Sequence, residues 1–431
     1  MEATNQHQTA RRWPIGLLLA IFAVLPLQAQ TFTVLHEFTF QPDGANPFGG
    51  LTADRAGNLY GATEVGGQFN GGTVFKLTHR GSGWVFSVLY AFNHDAYLPA
   101  SKVVFGPDGA LYGTTTAGGI GDCQGNGWSG CGTVFSLQPP PTFCASISCP
   151  WTKTTLYRFT GYTDAANPNS EVVFDAAGSI YGTTTFGGGI NCRENDNRGC
   201  GALYKLTRAG SSWTESVIHS FSWGDGLWPG SAPTLDQNGN LYGTASYGGV
   251  PCADSQFGCG TIWEWMPAGP GFTVLHTFQG GSDGAYPFGS LIFDHTGRLY
   301  GSTWFMTGGP HCGTVFELDP PYGTYSIDYN FACQGEGPGG TLILDSAGNL
   351  YGARTTGGLY GYGAVFRLMP SIGGWTYTSL RDFDFSDGSQ AFGSVVLDGN
   401  GNLYGTTFAG GTNDDCLYQG GSCGVVWEVS P

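Results

Sequence analysis

Four short runs of β-branched, aromatic and aliphatic residues, each broken by Gly, Asn, Asp, Ser or Pro, recur along almost the whole chain. One copy runs Thr341 to Asp345, Leu350 to Ala353, Gly363 to Leu368 and Trp375 to Phe383. Runs this short between turn formers predict antiparallel strands, here lettered A to D within a unit. The Gly-Asn pair between A and B is expected to supply the positive φ angles of a tight hairpin. Beyond residue 29 no segment carries a convincing 3.6-residue apolar period, so the predicted class is all β.

The B run always contains Leu-Tyr-Gly or Ile-Tyr-Gly, at Tyr60, Tyr112, Tyr181, Tyr242, Tyr300, Tyr351 and Tyr404, spaced 51 to 69 residues apart. Such a period marks supersecondary units that cannot bury their apolar faces alone. Units of four strands must protect their sheet edges, and radial repetition does so. A seven-bladed propeller is therefore expected. The last repeat stops after its C run, Gly424 to Pro431, while Thr31 to Phe38 is an orphan that matches the D runs Thr273–Phe278 and Ser216–Phe221. Residues 31–38 are expected to complete the last blade and close the ring. An open linear stack would want polar caps at both ends, and none is visible. Residues 30–431 then form one domain.

Residues 1–29 differ. Arg11 and Arg12 precede an apolar stretch from Ile15 to Leu27, and Leu27-Gln28-Ala29 fits a small-residue cleavage site. This reads as a secretory signal, too short for a comfortable membrane span. No membrane span is expected after its removal, and the location would be secreted or periplasmic. Without those residues 14 basic and 31 acidic side chains remain. Such a surface repels nucleic acid and anionic membranes. Glycine accounts for 74 of 431 residues, yet 14% are aromatic. The glycines recur at turn positions, so they indicate tight turns around an aromatic core.

Twelve cysteines in an exported chain read as disulfides. Cys131, Cys200, Cys259, Cys312 and Cys423 share one position, before the glycine that opens strand C. Four have a partner in their own B–C loop: Cys123, Cys192, Cys252 and Cys416. Cys312 is expected to pair with Cys333 across the C–D ladder, and Cys144 with Cys149 in a local insertion. Zinc is the rival, but no His/Cys quartet has suitable spacing.

Up-and-down connectivity puts B–C loops and D–A connections on one face, where nearly all the sequence variation lies, so a binding site is expected there. That face repeats an acidic residue at Asp43, Asp95, Asp164, Asp225, Asp283, Glu336 and Asp387, which reads as a Ca²⁺-attracting ring or as carboxylates capping their own turns. Recurrence in every blade favours the caps. Aromatic residues break the repeat there, and Trp128, Trp228, Trp304, Tyr360 and Tyr418 are the candidate ligand-binding residues, with Trp223 and Phe305 beside them. Flat rings stack on sugar faces. The carboxylates Glu64, Glu194, Asp196, Asp254, Asp414 and Asp415 include the material for an acid/base pair. His36, His219 and His276 share a D-strand position with Tyr90, Tyr157 and Tyr329, which marks them as structural. No nucleophile elbow, phosphate loop or His-Glu-x-x-His is present.

The phrases Gly57-Asn-Leu-Tyr-Gly-Ala-Thr63, Gly66-Gly67, Gly72-Thr-Val-Phe-Lys-Leu77 and Ser282-Asp-Gly-Ala-Tyr-Pro-Phe288 resemble the repeat of the choice-of-anchor tandem repeat GloVer-containing proteins. The resemblance covers residues 31–431. It implies an exported bacterial protein, often held at the cell surface by a C-terminal anchor, and carries no settled activity. This chain reaches Pro431 without such an anchor, so a soluble protein is expected. The reading is a disulfide-stiffened binding scaffold with an extracellular glycan or protein as partner, expected to be a monomer. The alternative is a glycan-active hydrolase or lyase on the same face.

Overall fold

The computed structural model describes residues 30–431 apart from 82, 94, 124–128, 142–149, 190–197, 253–254, 306–312, 321–322, 332–336, 414–415 and 417–421. Seven antiparallel sheets carry strands in the order A-B-C-D. Strand A is shortest, as in Val104–Phe105. Strand B holds the repeated phrase, as in Leu111–Thr115, and C and D are longer, as in Thr73–Arg80 and Gly83–Ala91. Among the described residues no helix is long and apolar enough to cross a membrane.

Closure is as expected. Thr31–Glu37 pairs antiparallel with Val425–Ser430, Thr33 lying opposite Glu428. The seal continues where Phe38 N–H donates to the Gly424 carbonyl at 3.2 Å and Asn46 N–H to that of Cys423 at 2.9 Å. Among the described residues seven apolar clusters fill the molecule; six straddle one pair of adjacent blades, and the one at the seam joins blades seven and one and reaches Tyr97, Leu98 and Ala117 of blade two. No blade buries its own faces, which is why the unit folds only as an array.

The repeated phrase has a physical reading at each position. Its leucine or isoleucine is fully buried. In five blades its tyrosine hydroxyl donates to the A–B-turn aspartate, as from Tyr60 to Asp54 at 3.0 Å and from Tyr351 to Asp345 at 3.1 Å, whereas Tyr242 and Tyr300 donate to the C-strand Glu264 and Glu317. Its glycine lies opposite a C-strand aromatic residue, Gly61 across from Phe75 and Gly405 across from Trp427. A Cβ there would meet the ring, at 2.5 Å in the first case and 2.3 Å in the second. That ring in turn packs edge-on against the phenylalanine that ends strand D of the preceding blade. Phe92 meets Phe135 at 5.1 Å, Phe331 meets Phe366 at 5.0 Å, and Phe38 meets Phe75 at 5.2 Å across the closure. Full burial of each such ring contributes about 2–3 kcal/mol.

The A–B turn departs from the expectation in one respect. Gly57 takes φ +80°, but Asn58 is not left-handed. Asn58 instead donates its backbone N–H (2.9 Å) and its side-chain amide (2.7 Å) to Asp54. An Asx-type anchor thus replaces the second left-handed residue.

Candidate functional site at the axial mouth

The D–A connection ends in a segment that lines the axis: Asn46-Pro-Phe-Gly-Gly50 in blade one, Leu98-Pro-Ala-Ser-Lys102 in blade two, Tyr286-Pro-Phe-Gly-Ser290 in blade five and Gln390-Ala-Phe-Gly-Ser394 in blade seven. Its first residue is left-handed although not glycine, with φ of 58° at Asn46, 60° at Leu98, 56° at Tyr286 and 57° at Gln390. Such residues cost on the order of 1 kcal/mol each and persist only where the surroundings hold them. Here the holding group is the carbonyl just before strand C of the preceding blade. Cys131 O accepts from Asn167 N–H at 2.7 Å, Cys259 O from Tyr286 at 2.8 Å and Cys423 O from Asn46 at 2.9 Å. The expected disulfides Cys123–Cys131, Cys252–Cys259 and Cys416–Cys423 are present, and they staple these loops. Cys200 is also disulfide-bonded. Its expected partner Cys192, and Cys144, Cys149, Cys312 and Cys333, lie outside the described residues.

Two rings of side chains surround the mouth. The D–A segments give Phe48, Ala100, Asn169, Gly230, Phe288, Gly339 and Phe392 as lining. The equivalent position after each repeated tyrosine gives Glu64, Thr116, Thr185, Ser246, Trp304, Thr355 and Phe408, Trp304 still within its strand Leu299–Phe305. Blades five, seven and one therefore build a half-buried aromatic arc. Phe48 stacks on Phe392 at 5.0 Å and lies edge-on to Phe408 at 6.1 Å and Phe288 at 6.3 Å. Trp304 reaches Phe288 at 5.7 Å and Phe392 at 6.4 Å, while its indole N–H donates to Thr355 at 3.1 Å. The opposite arc is polar and holds the Lys102–Glu171 ion pair at 3.6 Å. Glu64 belongs to the same rim, and burial pushes its carboxyl up to about 6. The axial cavity beneath measures about 50 Å³. That is room for a few waters and not for a sugar ring, so any larger ligand must lie across the mouth.

The other candidates scatter. Trp228 is half-buried against Phe186 at 6.1 Å and Tyr247 at 4.9 Å. Tyr360 is 57% exposed on the blade-six loop beside exposed Leu359. Trp128 and Tyr418 lie outside the described residues, as do Glu194, Asp196, Asp254, Asp414, Asp415 and Glu336. Phe48, Phe288, Phe392 and Phe408 were missed by sequence reasoning because each sits inside the repeat. Comparing one repeat position across all seven copies would have found them.

Asp43, Asp164, Asp225, Asp283 and Asp387 of the D–A connections are committed to structure. Asp43 accepts from His36 (2.9 Å) and from the backbone and hydroxyl of Thr39 (3.0 and 2.6 Å). Burial pushes its carboxyl up, but these hydrogen bonds outweigh it and hold the group below the usual carboxylate range. Asp225 and Asp283 repeat the arrangement with His219 and His276, and Arg381 takes that role beside Asp387. Each histidine also stacks on an aromatic residue of the next blade, His36 on Phe86 at 3.7 Å and His219 on Phe272 at 3.5 Å. Among the described residues no group of three His, Cys, Asp or Glu converges to hold a metal ion.

Among solved structures, an oligogalacturonate lyase in complex with manganese is 11% identical over 93% of this chain and 96% of its own, with TM-score 0.52. A gluconolactonase from Xanthomonas campestris is 12% identical over 94% and 90%, with TM-score 0.41. At such identities the likeness concerns the fold alone. No curated protein matches the chain. The model of the Gloeobacter/Verrucomicrobia repeat matches residues 20–126, 85–258, 120–336 and 249–421, so that nearly the whole sequence is accounted for. The chain belongs to the Gloeobacter/Verrucomicrobia repeat family.

Proposed function

We propose that this protein is an exported binding scaffold whose ligand, a glycan, lies across the axial mouth on the aromatic arc. The carrying observation is the meeting of Phe48, Phe288, Trp304, Phe392 and Phe408 around one axis opposite a polar arc. Flat apolar rings facing amide, hydroxyl and carboxylate groups match the two kinds of surface that a sugar presents. Export is supported by the signal-like residues 1–29 and by disulfides, which persist in oxidising compartments. The acidic surface favours neutral or cationic partners over nucleic acid. A glycan array probed with the purified protein tests the reading. Trp304→Ala should weaken a bound glycan about tenfold, the value of one stacking contact of about 1.4 kcal/mol. A blank array, or undiminished binding by the variant, contradicts it.

A second reading, a glycan-active hydrolase or lyase, is favoured by Glu64 alone. A rim carboxyl raised to about 6 is a proton donor near neutral pH. Glu64→Gln should then abolish release of product from a polysaccharide panel while leaving binding intact. Absence of product from the unaltered protein would dismiss this reading and leave the scaffold standing.

A further inference from the structure

A second cavity, of about 360 Å³, opens between blades two and three on the face opposite the mouth. It is lined by Tyr112, Ser136, Gln138, Thr154, Arg208 and Trp213, among others. Its origin lies in one substitution within the repeat. The C-strand residue paired with the repeated tyrosine is Lys76, Lys205, Glu264, Glu317, Arg367 or Glu428 in six blades. In blade two it is Ser136, opposite Tyr112. A long charged chain is thereby missing, and the space it would fill stays open. The tryptophan on the other wall also departs from its counterparts. Trp84 meets Tyr404 at 5.7 Å, Trp151 meets Tyr60 at 6.4 Å and Trp375 meets Tyr300 at 6.3 Å. Among the described residues Trp213 makes no ring contact, and its indole borders the cavity instead.

We propose that this cavity is a saccharide-binding site that accepts a single pyranose ring against the face of Trp213. The volume falls within the range of small-molecule sites, roughly 300–1,000 Å³. The lining is polar apart from the indole, Tyr112 and Leu156, which disfavours a lipid or other apolar ligand. Asp108 is already occupied by Tyr112 (3.0 Å) and Gln138 (3.0 Å) and serves to fix those two side chains. The hydroxyls of Ser136 and Thr154 have no protein partner among the described residues and face the space. An indole face bordered by free hydroxyls is complementary to a sugar ring, whose C–H face is apolar and whose edge both donates and accepts hydrogen bonds. This site is separate from the mouth and does not depend on it.

The repeat supplies the test. Ser136→Lys restores the long side chain that the other blades accommodate. The new lysine should lie over Tyr112 as Lys76 lies over Tyr60 at 5.2 Å and Lys205 over Tyr181 at 4.9 Å, so the fold should survive. Saturation-transfer NMR with the methyl glycosides of glucose, galactose, mannose and glucuronic acid should show transfer to at least one of them. That transfer should disappear in Ser136→Lys, weaken without vanishing in Ser136→Ala, which keeps the cavity open but removes one of its hydroxyls, and persist in Trp304→Ala, which alters only the mouth. No transfer from any glycoside overturns the proposal, as does transfer unchanged in Ser136→Lys. Transfer lost in Trp304→Ala but kept in Ser136→Lys also overturns it and assigns the sugar to the mouth.

Discussion

At Gly243 an added Cβ would sit 2.3 Å from the Trp263 ring, whose own position is fixed by Phe221 of the preceding blade. The ring is fully buried and has nowhere to retreat. Gly243→Ala should therefore cost about 1–3 kcal/mol in denaturant unfolding, as overpacking does. Gly224→Ala, with nothing within 4 Å, should cost far less. Asp328 presents the opposite fault. The C–D ladder skips one D-strand residue in every blade, and elsewhere that residue is aliphatic, as at Leu89, Ile218 and Leu275. In blade five it is Asp328, whose Oδ2 is buried without a partner. Burial first, and then the neighbouring Glu317, push its carboxyl up to about 7 from an ordinary 3.8. The folded state thus holds a proton that the unfolded chain releases. This group's full stability is present below pH 3.8 and is lost as pH rises through 7. Asp328→Leu should stabilise the protein by about 1 kcal/mol at pH 8 and by less at pH 4, read from denaturation midpoints at the two pH values. Glu215, raised to about 8 by burial and by Asp164, adds a parallel decline that the variant leaves in place.

At the scale of loops and strands, the disulfides act on the mouth through the backbone. Cys259 belongs to the staple with Cys252, seven residues apart, and its carbonyl also holds Tyr286 in the left-handed conformation. Replacing both cysteines by serine should cost about 2.5 kcal/mol by loop-closure entropy. Hydrogen exchange should quicken at Tyr286 as well as within the loop; protection unchanged at Tyr286 would separate the staple from the mouth. The blades and these staples were legible because the same residues return at the same offsets: a Tyr-Gly pair in each B strand, a cysteine before five of the seven C strands. The mouth was less legible. Phe48, Phe288 and Phe392 sit within ordinary repeat phrases, and their meeting depends on ring closure across hundreds of residues. Trp304 stood out only because it breaks the pattern. Ser136 was illegible for a different reason. A serine draws attention only when the ladder shows it facing Tyr112, where other blades place a long charged chain.

For the whole molecule, everything at the axis rests on closure. Blade seven takes its C strand from residues 425–430 and its D strand from residues 31–37. Only that union brings Phe392 and Phe408 of blade seven beside Phe48 of blade one. Seven apolar interfaces rather than six follow from the same union, and the Phe38–Phe75 contact belongs to the seventh. The most direct measurement is a cross-link across the seam. Thr33 and Glu428 are register partners, a separation that a disulfide spans without backbone movement. In Thr33→Cys/Glu428→Cys, non-reducing peptide mapping should recover a bridge between the two segments in nearly every molecule, with a raised melting temperature. Free thiols at both positions in the folded protein would contradict a closed ring.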